Sequence, residues 1–216
     1  MKLVALSVGQ PREVEWQGDT VVTSIFKDRV SGARRAAGVN IDGDRQSDLS
    51  VHGGQYKAVY AYPSEHYPVW RRELSEDDLS FGGFGENLTT EGLTERDVCI
   101  GDRFRIGTAE FAVTQPRQPC FKLGIRRNRL DIIRLFHKSG RTGFYFSIVR
   151  EGDVQEGDAI EVVARDEQRL SIAAMFQLMY SDKPDVDRLE VAAAHPALSP
   201  SWRDDFSERL EKISRG

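Results

Sequence analysis

Short apolar runs separated by Gly-Asp turns restrict the fold of this chain more than any other feature. The turns recur through the first three quarters of the sequence, at Gly18-Asp19, Gly101-Asp102, Gly152-Asp153 and Gly157-Asp158. Glycine reaches positive φ without steric cost and aspartate favours turns, so each pair predicts a reversal between two short strands. Many short strands at such spacing favour a closed or nearly closed β-barrel.

β-Branched and aromatic residues fill the runs between these turns, and such a composition is typical of strands. The predicted strands cover residues 2–8, 21–26, 57–62, 98–100, 103–106, 109–114, 143–150 and 158–163. A helix is predicted at 63–74, with Pro68 tolerated in its first turns, and a helix-compatible patch lies at 125–138. The first part of the chain is therefore predicted to be mainly β with peripheral helices.

Near residue 164 the pattern changes from strands to helices. Three helical segments follow, at 170–179, at 186–194 and from Pro200 onward. Ser199 is suited to cap the last of them, which carries four apolar residues close to one face: Trp202, Phe206, Leu210 and Ile213. We therefore predict a β-barrel domain at 1–164 and a three-helix domain at 165–216, whose default role is packing or binding a partner.

The composition argues against several classes of protein. The 216 residues carry 30 basic and 34 acidic side chains, and this balance argues against a protein that binds nucleic acid through a broad, positively charged surface. The N-terminal apolar run is too short for a signal peptide, and no stretch approaches the length of a membrane span. Two cysteines make no disulfide framework, so we expect a reducing, cytoplasmic setting. The four histidines and two cysteines show no close pairing of the kind that marks a zinc site.

One of the two cysteines, Cys120, lies in the segment TQPRQPCFKL between prolines and cations. Proline fixes its own φ and disfavours helix in the preceding residue, so the thiol should sit on an extended connection. Arg117 and Lys122 would favour the thiolate, which both nucleophilic catalysis and soft-metal ligation need. The alternative is a buried structural cysteine that behaves as a small hydrophobe, which is the role we expect for Cys99.

Two glycine-rich loops supply further candidates. The loop GDRQSDLSVHGG crowds Asp44, Gln46, Asp48 and His52 between glycines, where a binding role competes with a turn-capping Asp48 and a structural His52. The loop FGGFGENL contains Asn87 and backbone N–H groups that glycine leaves accessible to a polar ligand, although it matches no P-loop or dinucleotide fingerprint. Lys27 and Arg29 follow a predicted strand, where cations are more often solvated than ligand-binding.

Five motifs in a fixed order carry a resemblance to a known family: GDRQSDLSVHGG, KAVYAY, FGENLTTEGL, IGDRFRIG and TQPRQPCFKL. Together they resemble the MOSC family, which is named for the C-terminal domain of molybdenum cofactor sulfurases. Nearly the whole chain is similar to the stand-alone bacterial YiiM-type members, in which a small three-helix domain follows a MOSC β-barrel. Position 29 is an arginine where many relatives are expected to carry proline.

The resemblance implies a pocket for a molybdopterin-type molybdenum cofactor. Cys120 would supply a thiolate to molybdenum, as a soft ligand to a soft metal, and its basic neighbours would neutralise the pterin phosphate. The other residues implied to line the pocket and orient cofactor or substrate are Lys27 or Arg29, Asp48, His52, Asn87 and Arg117.

The resemblance also implies a reaction, the reduction of N-hydroxylated compounds such as 6-N-hydroxylaminopurine: R–NHOH + 2e⁻ + 2H⁺ → R–NH₂ + H₂O. His52, with an ordinary pKa near about 6.5, is the candidate proton donor. The chain shows no flavin, haem or iron–sulfur signature, so a separate flavoprotein reductase is expected to deliver the electrons. No membrane and no stable nucleic-acid partner are expected.

Non-redox functions stay open on the sequence alone. Cys120 could instead hold the cofactor in a carrier domain, or accept sulfur as a persulfide in a sulfur-transfer domain. Pyridoxal phosphate, which the fused sulfurases use, is not expected, because nothing in the chain resembles a pyridoxal-binding fold. The helical C-terminal part could also bind a protein or nucleic-acid partner.

Overall fold

A computed structural model describes residues 1–47 and 53–215. These residues contain thirteen strands: β1 (Lys2–Val8), β2 (Arg12–Trp16), β3 (Asp19–Thr23), β4 (Asp28–Arg29), β5 (Arg34–Ala37), β6 (Asn40–Ile41), β7 (Val59–Pro63), β8 (Leu88–Glu91), β9 (Arg103–Ile106), β10 (Ala109–Pro116), β11 (Phe144–Arg150), β12 (Gly152–Val154) and β13 (Ile160–Ala164). Six α-helices accompany them: α1 (Tyr67–Leu74), α2 (Phe121–Arg127), α3 (Ile132–Ser139), α4 (Ile172–Tyr180), α5 (Val186–Ala194) and α6 (Pro200–Ser214). Within these ranges, no helix is both long enough and apolar enough to cross a bilayer.

Eight strands form one sheet in the order β13-β9-β10-β11-β7-β8-β1-β4. Neighbouring strands in it are antiparallel, except that β7 and β8 are parallel. The far end of the sheet returns to β1, because the N–H of Leu3 donates to the carbonyl of Asp158 at 2.9 Å just before β13 begins. A three-stranded sheet, β12-β5-β6, and the β2-β3 hairpin complete the β structure.

The predicted mainly β fold with peripheral and C-terminal helices is confirmed, but the sheet does not close into a complete barrel. Among the described residues a single isolated bridge, between Lys2 and Ala159, joins β1 to the chain entering β13. The short strand β4 pairs with Ser7 and Val8 on β1. In the described chain, β1 meets the chain entering β13 only at residues 1–3, so the ladder between them is not continuous.

Most predicted strands are present, with two differences. Residues 98–100 are not a strand, and Cys99 makes an isolated bridge to Ser171 instead. The predicted strand 21–26 is β3, which ends at Thr23 and pairs with β2 in a hairpin. Strand β2 is not among the predicted strands, because its sequence REVEW is mostly exposed and too charged to resemble a core strand.

The helix-compatible patch at 125–138 is two helices rather than one. Helix α2 ends at Asn128, whose φ of 50° is left-handed and whose N–H donates to the carbonyls of Gly124 and Ile125. A left-handed residue satisfies the last carbonyls of a helix and prevents its continuation. Helix α3 then begins after Asp131.

The three C-terminal helices pack on the sheet rather than standing apart from it. As predicted, Ser199 caps α6, with its hydroxyl accepting from the N–H of Trp202. Trp202 and Phe206 are buried in the same apolar cluster as Phe104 and Phe111 of the sheet. The division into two domains stays a prediction, since both parts contribute to this cluster.

A second buried cluster is rich in aromatic rings and lies where β7, α1 and α3 meet. Its rings include Tyr60, Tyr62, Trp70, Phe84 and Phe136. The polar tips of these rings are satisfied, since Trp70 Nε1 donates to the hydroxyl of Tyr62 at 2.6 Å. Well-packed rings with satisfied polar atoms make a rigid base for the side chains above them.

Candidate functional site

One cavity collects polar side chains from distant parts of the chain. The space between its walls is about 660 Å³, a figure that includes the solvent-filled mouth. Besides Cys120, the lining contains four cations and one carboxylate: Lys27, Lys57, Arg117, Lys122 and Asp44. The structure thus brings together four of the predicted site residues, namely Lys27, Asn87, Arg117 and Cys120.

Cys120 lies immediately before α2 with an extended backbone, at φ −119° and ψ 173°. This conformation agrees with the extended connection that the flanking prolines predict. The residue is partly exposed and lines the cavity, whereas Cys99 is 2% exposed in the core. Burial lowers the pKa of the Lys57 ammonium group, and the Cys120 thiol lies close enough to oppose that shift. An accessible thiol therefore faces a cation-lined cavity.

Arg117 is buried and held in one orientation. Its Nη1 donates to the hydroxyl of Tyr60 at 3.1 Å and to the carbonyl of Phe84 at 2.8 Å. The guanidinium also lies over the Tyr60 ring, 4.6 Å from its centroid. Burial lowers the pKa of Arg117, but Tyr60, Tyr145 and Cys120 outweigh burial and raise it overall. Arg117 therefore keeps its positive charge beside the thiol.

A buried ion pair forms another wall of the cavity. Lys27 Nζ lies 2.5 Å from Oδ1 of Asp44, which also accepts from the N–H of Gly9 at 2.7 Å. Burial lowers the pKa of Lys27, while Asp44 acts in the opposite direction. The pair fixes the segment after β3 against the loop after β6, where the GDRQSDLSVHGG motif begins.

The glycine-rich loop FGGFGENL is held by its own glutamate. The N–H groups of Gly82 and Phe84 donate to the Glu86 carboxylate at 2.8 Å and 3.1 Å, so these amides are not available to a ligand, contrary to the prediction. Two hydroxyl groups also donate to this carboxylate, those of Tyr67 and Thr89. A Cβ at Gly85 would lie 2.7 Å from the Ile25 side chain, so glycine is required where the loop packs on the cavity wall.

Asn87 lines the cavity, but its carboxamide first joins two strands. Its Oδ1 accepts from the N–H of Tyr60 at 3.1 Å, and its Nδ2 donates to the carbonyl of Ser7 at 3.3 Å. The backbone of Asn87 bonds to the same two residues. The amide therefore bridges β1 and β7, and its contact with a cofactor stays a prediction.

Arg29 does not line this cavity. Its side chain is 54% exposed and pairs with Glu156, with Nε donating to Oε2 at 2.8 Å. The partner carboxylate lies in the turn before β13 and is itself 37% exposed, so the pair is on the solvent-accessible surface. Of the two alternatives Lys27 and Arg29, the structure places Lys27 in the cavity.

Asp48 and His52 lie outside the described residues, so their predicted roles stay predictions. Ser47, the last described residue before them, lines the cavity. The chain is described again from residue 53, and it reaches the cavity wall again at Lys57. The left-handed Gly54, with φ 81°, begins the short 3-10 turn Gln55–Lys57 that brings this lysine into place.

The cavity also contains Lys57, which was not among the predicted site residues. Lys57 is the first residue of the motif KAVYAY and lies in the 3-10 turn before β7, and a cation directly before an apolar strand is the signal that could have identified it. Gln46 Oε1 and Ser24 Oγ are buried without a hydrogen-bond partner in the described part of the chain. Burial raises the pKa of Tyr145, so its hydroxyl group stays protonated.

The sequence matches the family model of the MOSC domain over residues 48–161. The chain belongs to the MOSC domain family. A second model, the YiiM-like 3-alpha helix domain, matches residues 170–212. The resemblance inferred from the motifs is therefore confirmed for both parts of the chain.

Relatives match this chain over nearly its whole length. YflK of Bacillus subtilis (strain 168) is 39% identical over 211 residues, which cover 98% of this chain and 95% of YflK. A protein named "Reductase" of Gibberella moniliformis (strain M3125 / FGSC 7600) is 33% identical over 201 residues, covering 92% of this chain but 36% of that protein. The crystal structure of YiiM from Geobacillus stearothermophilus has a TM-score of 0.81 at 35% identity, covering 97% of this chain and 98% of that one.

Proposed function

We propose that this protein is a molybdenum-cofactor-dependent reductase of N-hydroxylated substrates, such as 6-N-hydroxylaminopurine and related base analogues. The observation that carries the proposal is the accessible Cys120 thiol in a cavity lined by four cations. Membership of the MOSC family, which is associated with the molybdenum cofactor, supports the choice of cofactor. A relative named as a reductase supports the redox class.

The residues of the cavity fit an anionic group that binds through sulfur. Among the described residues the lining holds four cations and one carboxylate, Asp44, which pairs with Lys27, so the lining carries an excess of positive charge that suits a pterin phosphate. Gln46 Oε1 and Ser24 Oγ have no partner among the described residues and are available to the polar edge of a pterin. A buried polar atom without a partner costs free energy, which a polar ligand relieves.

In the proposed holoenzyme the Cys120 thiolate would hold the molybdenum, and the cofactor would supply the two-electron reduction of the N-hydroxyl group. Arg117 stabilises the thiolate over the thiol, because its charge is permanent and its orientation is fixed by Tyr60 and Phe84. Lys27, Lys57 and Lys122 add positive charge around the anionic cofactor. Tyr60, which lines the cavity, belongs to the buried aromatic cluster and so would give this wall a close-packed apolar backing.

The reaction also needs protons and electrons. His52 is the proposed proton donor, and His52→Gln is expected to abolish turnover while the molybdenum content stays normal. Loss of molybdenum together with activity would assign His52 to cofactor binding instead. A separate flavoprotein reductase is the proposed electron source.

Cys120→Ser, compared with the matched control Cys99→Ala, tests the proposal. The measurements are the molybdenum and pterin content per chain and the reduction of 6-N-hydroxylaminopurine with an artificial electron donor. We expect the unmodified protein and Cys99→Ala to hold the cofactor and reduce the substrate. Cys120→Ser is expected to lose reduction, because a serine hydroxyl is a hard ligand and a poor replacement for a thiolate.

Two results would overturn the reductase proposal. Bound cofactor without reduction of any N-hydroxylated compound would indicate a carrier protein. A persulfide on Cys120 in protein without molybdenum would indicate sulfur transfer.

A further inference from the structure

A second cleft adjoins the cavity and shares Lys27 with it. It lies between α1, α2 and β4, and its charged lining residues are Lys27, Arg29, Arg71, Arg126 and Asp28. Four cations thus face one carboxylate, although the whole chain has a formal net charge of −4. The positive charge of this cleft is therefore a local concentration, of the kind that attracts anions.

Arg126 carries charge that its surroundings do not compensate. The residue is partly buried, and its buried Nε has no hydrogen-bond partner in the described chain. Its guanidinium lies 5.3 Å from the centroid of the Phe26 ring, and the guanidinium of Arg12 lies 3.5 Å from the same centroid. Burial lowers the pKa of Arg126 more than Glu86 and Asp28 raise it. An added anion would offset this cost of burial.

Arg71 contributes a second guanidinium, whose charge is not neutralised by the backbone carbonyl that accepts its hydrogen bonds. Its Nε and Nη2 donate to the carbonyl of Leu79, at 3.2 Å and 2.9 Å, and a carbonyl is a neutral acceptor. Lys27 and Arg29, by contrast, are paired with Asp44 and Glu156. Arg71 and Arg126 are therefore the two groups best placed to pair with an anion in the cleft.

We propose that this cleft binds the phosphate of a nucleotide substrate whose base enters the adjoining cavity. The inference rests on the proposed reductase function, because it narrows the substrate class to nucleoside monophosphates of N-hydroxylated bases. Guanidinium groups match phosphate oxygens with parallel hydrogen bonds, and Lys27 forms the wall common to both spaces. The pterin phosphate of the cofactor has the same chemistry, so the test has to separate the two sources.

Calorimetric titration of the cofactor-containing protein with adenosine and with AMP, two unreactive probes, tests the cleft. We expect AMP to bind at least about tenfold more tightly than adenosine, the scale of one charge-assisted hydrogen bond. Arg126→Gln is expected to remove this preference. The matched control is Arg72→Gln, because Arg72 is exposed beside Arg71 but does not line the cleft. If Arg126→Gln does not fold, Arg71→Gln takes its place with the same expectation.

Several outcomes would overturn the inference. They are equal affinities for AMP and adenosine, a preference that survives Arg126→Gln, and an equal loss in Arg72→Gln. Loss of pterin and molybdenum in Arg126→Gln, without an AMP preference in the unmodified protein, would assign the cleft to the cofactor phosphate and overturn the nucleotide inference. An Arg126-dependent AMP preference without reduction of any N-hydroxylated compound would support the cleft and overturn only the proposed function.

Discussion

Cys120 and Cys99 carry the same side chain, but their surroundings are opposite. Cys120 is partly exposed in a cavity, with Lys57 and Arg117 close to its sulfur. Cys99 is 2% exposed, and burial raises the pKa of its thiol, with nearby Asp102 raising it further. Position in the fold therefore leaves the sulfur of Cys120 accessible from a cavity and packs the sulfur of Cys99 into the core.

In each of the two cysteine regions, a buried carboxylate fixes the local backbone by accepting hydrogen bonds from N–H groups. Near Cys120 it is Glu86, which shapes the loop that presents the Phe84 carbonyl to Arg117. Near the other cysteine, Asp102 accepts from the N–H of Cys99 at 3.1 Å and from Arg165 Nη1 at 2.6 Å. Glu86 thus shapes a loop whose carbonyl holds Arg117 at the cavity, whereas Asp102 closes the turn that follows Cys99.

Among variants that test the comparison of the two cysteine regions, Arg117→Gln should have the largest effect on cofactor content and reduction rate. Removing a permanent charge beside the thiolate is expected to lower cofactor content and reduction rate by about a hundredfold or more, as for the loss of one preorganised charge contact in an active site. Arg165→Gln, which removes the cation beside Asp102, should change both by less than about twofold. Metal analysis and initial rates measure this, and normal activity in Arg117→Gln would contradict the assigned role.

Alkylation separates the two sulfurs directly. In cofactor-free folded protein, iodoacetamide should modify Cys120 at least about a hundredfold faster than Cys99, because Cys99 reacts only after local opening of the core. Mass spectrometry of the peptides at successive times gives both rates. Similar rates would show that the surroundings of the two thiols do not differ as described.

The two carboxylates provide a matched pair of stability variants. Glu86→Gln and Asp102→Asn should each lower the free energy of unfolding by about 1–3 kcal/mol, because each replaces a charged acceptor of several buried donors. Denaturant unfolding measures the loss. Reduction of 6-N-hydroxylaminopurine should fall in Glu86→Gln alone, and an equal fall in Asp102→Asn would mean that activity follows stability and not the position of the loop.

The smallest expected effect is the pH dependence of stability that Cys99 contributes. Its pKa is raised above the ordinary 9.0, so the folded state holds the thiol proton more tightly than the unfolded state does. This contribution is fully present below pH 9.0 and is lost as the pH rises through the raised native pKa. The difference in unfolding free energy between the unmodified protein and Cys99→Ala should fall in that range, by no more than about 1.4 kcal/mol per pH unit. A constant difference from pH 8 to pH 10 would contradict the prediction.

Local signals predicted much of the fold because they act over a few residues. Ser199 caps α6 as predicted, and the prolines around Cys120 give the extended connection expected of them. The end of α2 before Asn128 was not predictable from periodicity, since it depends on the left-handed conformation of this one residue, and α3 begins only after Asp131. The incomplete closure of the barrel depends on how β4 and the turn before β13 divide one edge of β1, and this is a contact between distant segments.

The candidate site likewise combines residues that the sequence predicted with contacts that only the tertiary structure revealed. The family resemblance implied Asn87, Arg117, Cys120 and either Lys27 or Arg29, and the structure places the first three and Lys27 in one cavity, whereas Arg29 pairs with Glu156 outside it. No local signal revealed that a loop carboxylate would occupy the amides of Gly82 and Phe84. The partner of a charged side chain is the group that the fold brings next to it. The separation of the two residues along the sequence carries little information about which group that is.

By itself the sequence determined the family, the mainly β fold with C-terminal helices, and the extended placement of the Cys120 thiol, because these follow from motifs, periodicity and the restricted φ of proline. Only the tertiary structure decided which cations stand beside that thiol and which amides are already occupied. The physical reason is that burial and pairing set the energy of a charge, and both depend on segments that meet only after the chain has folded.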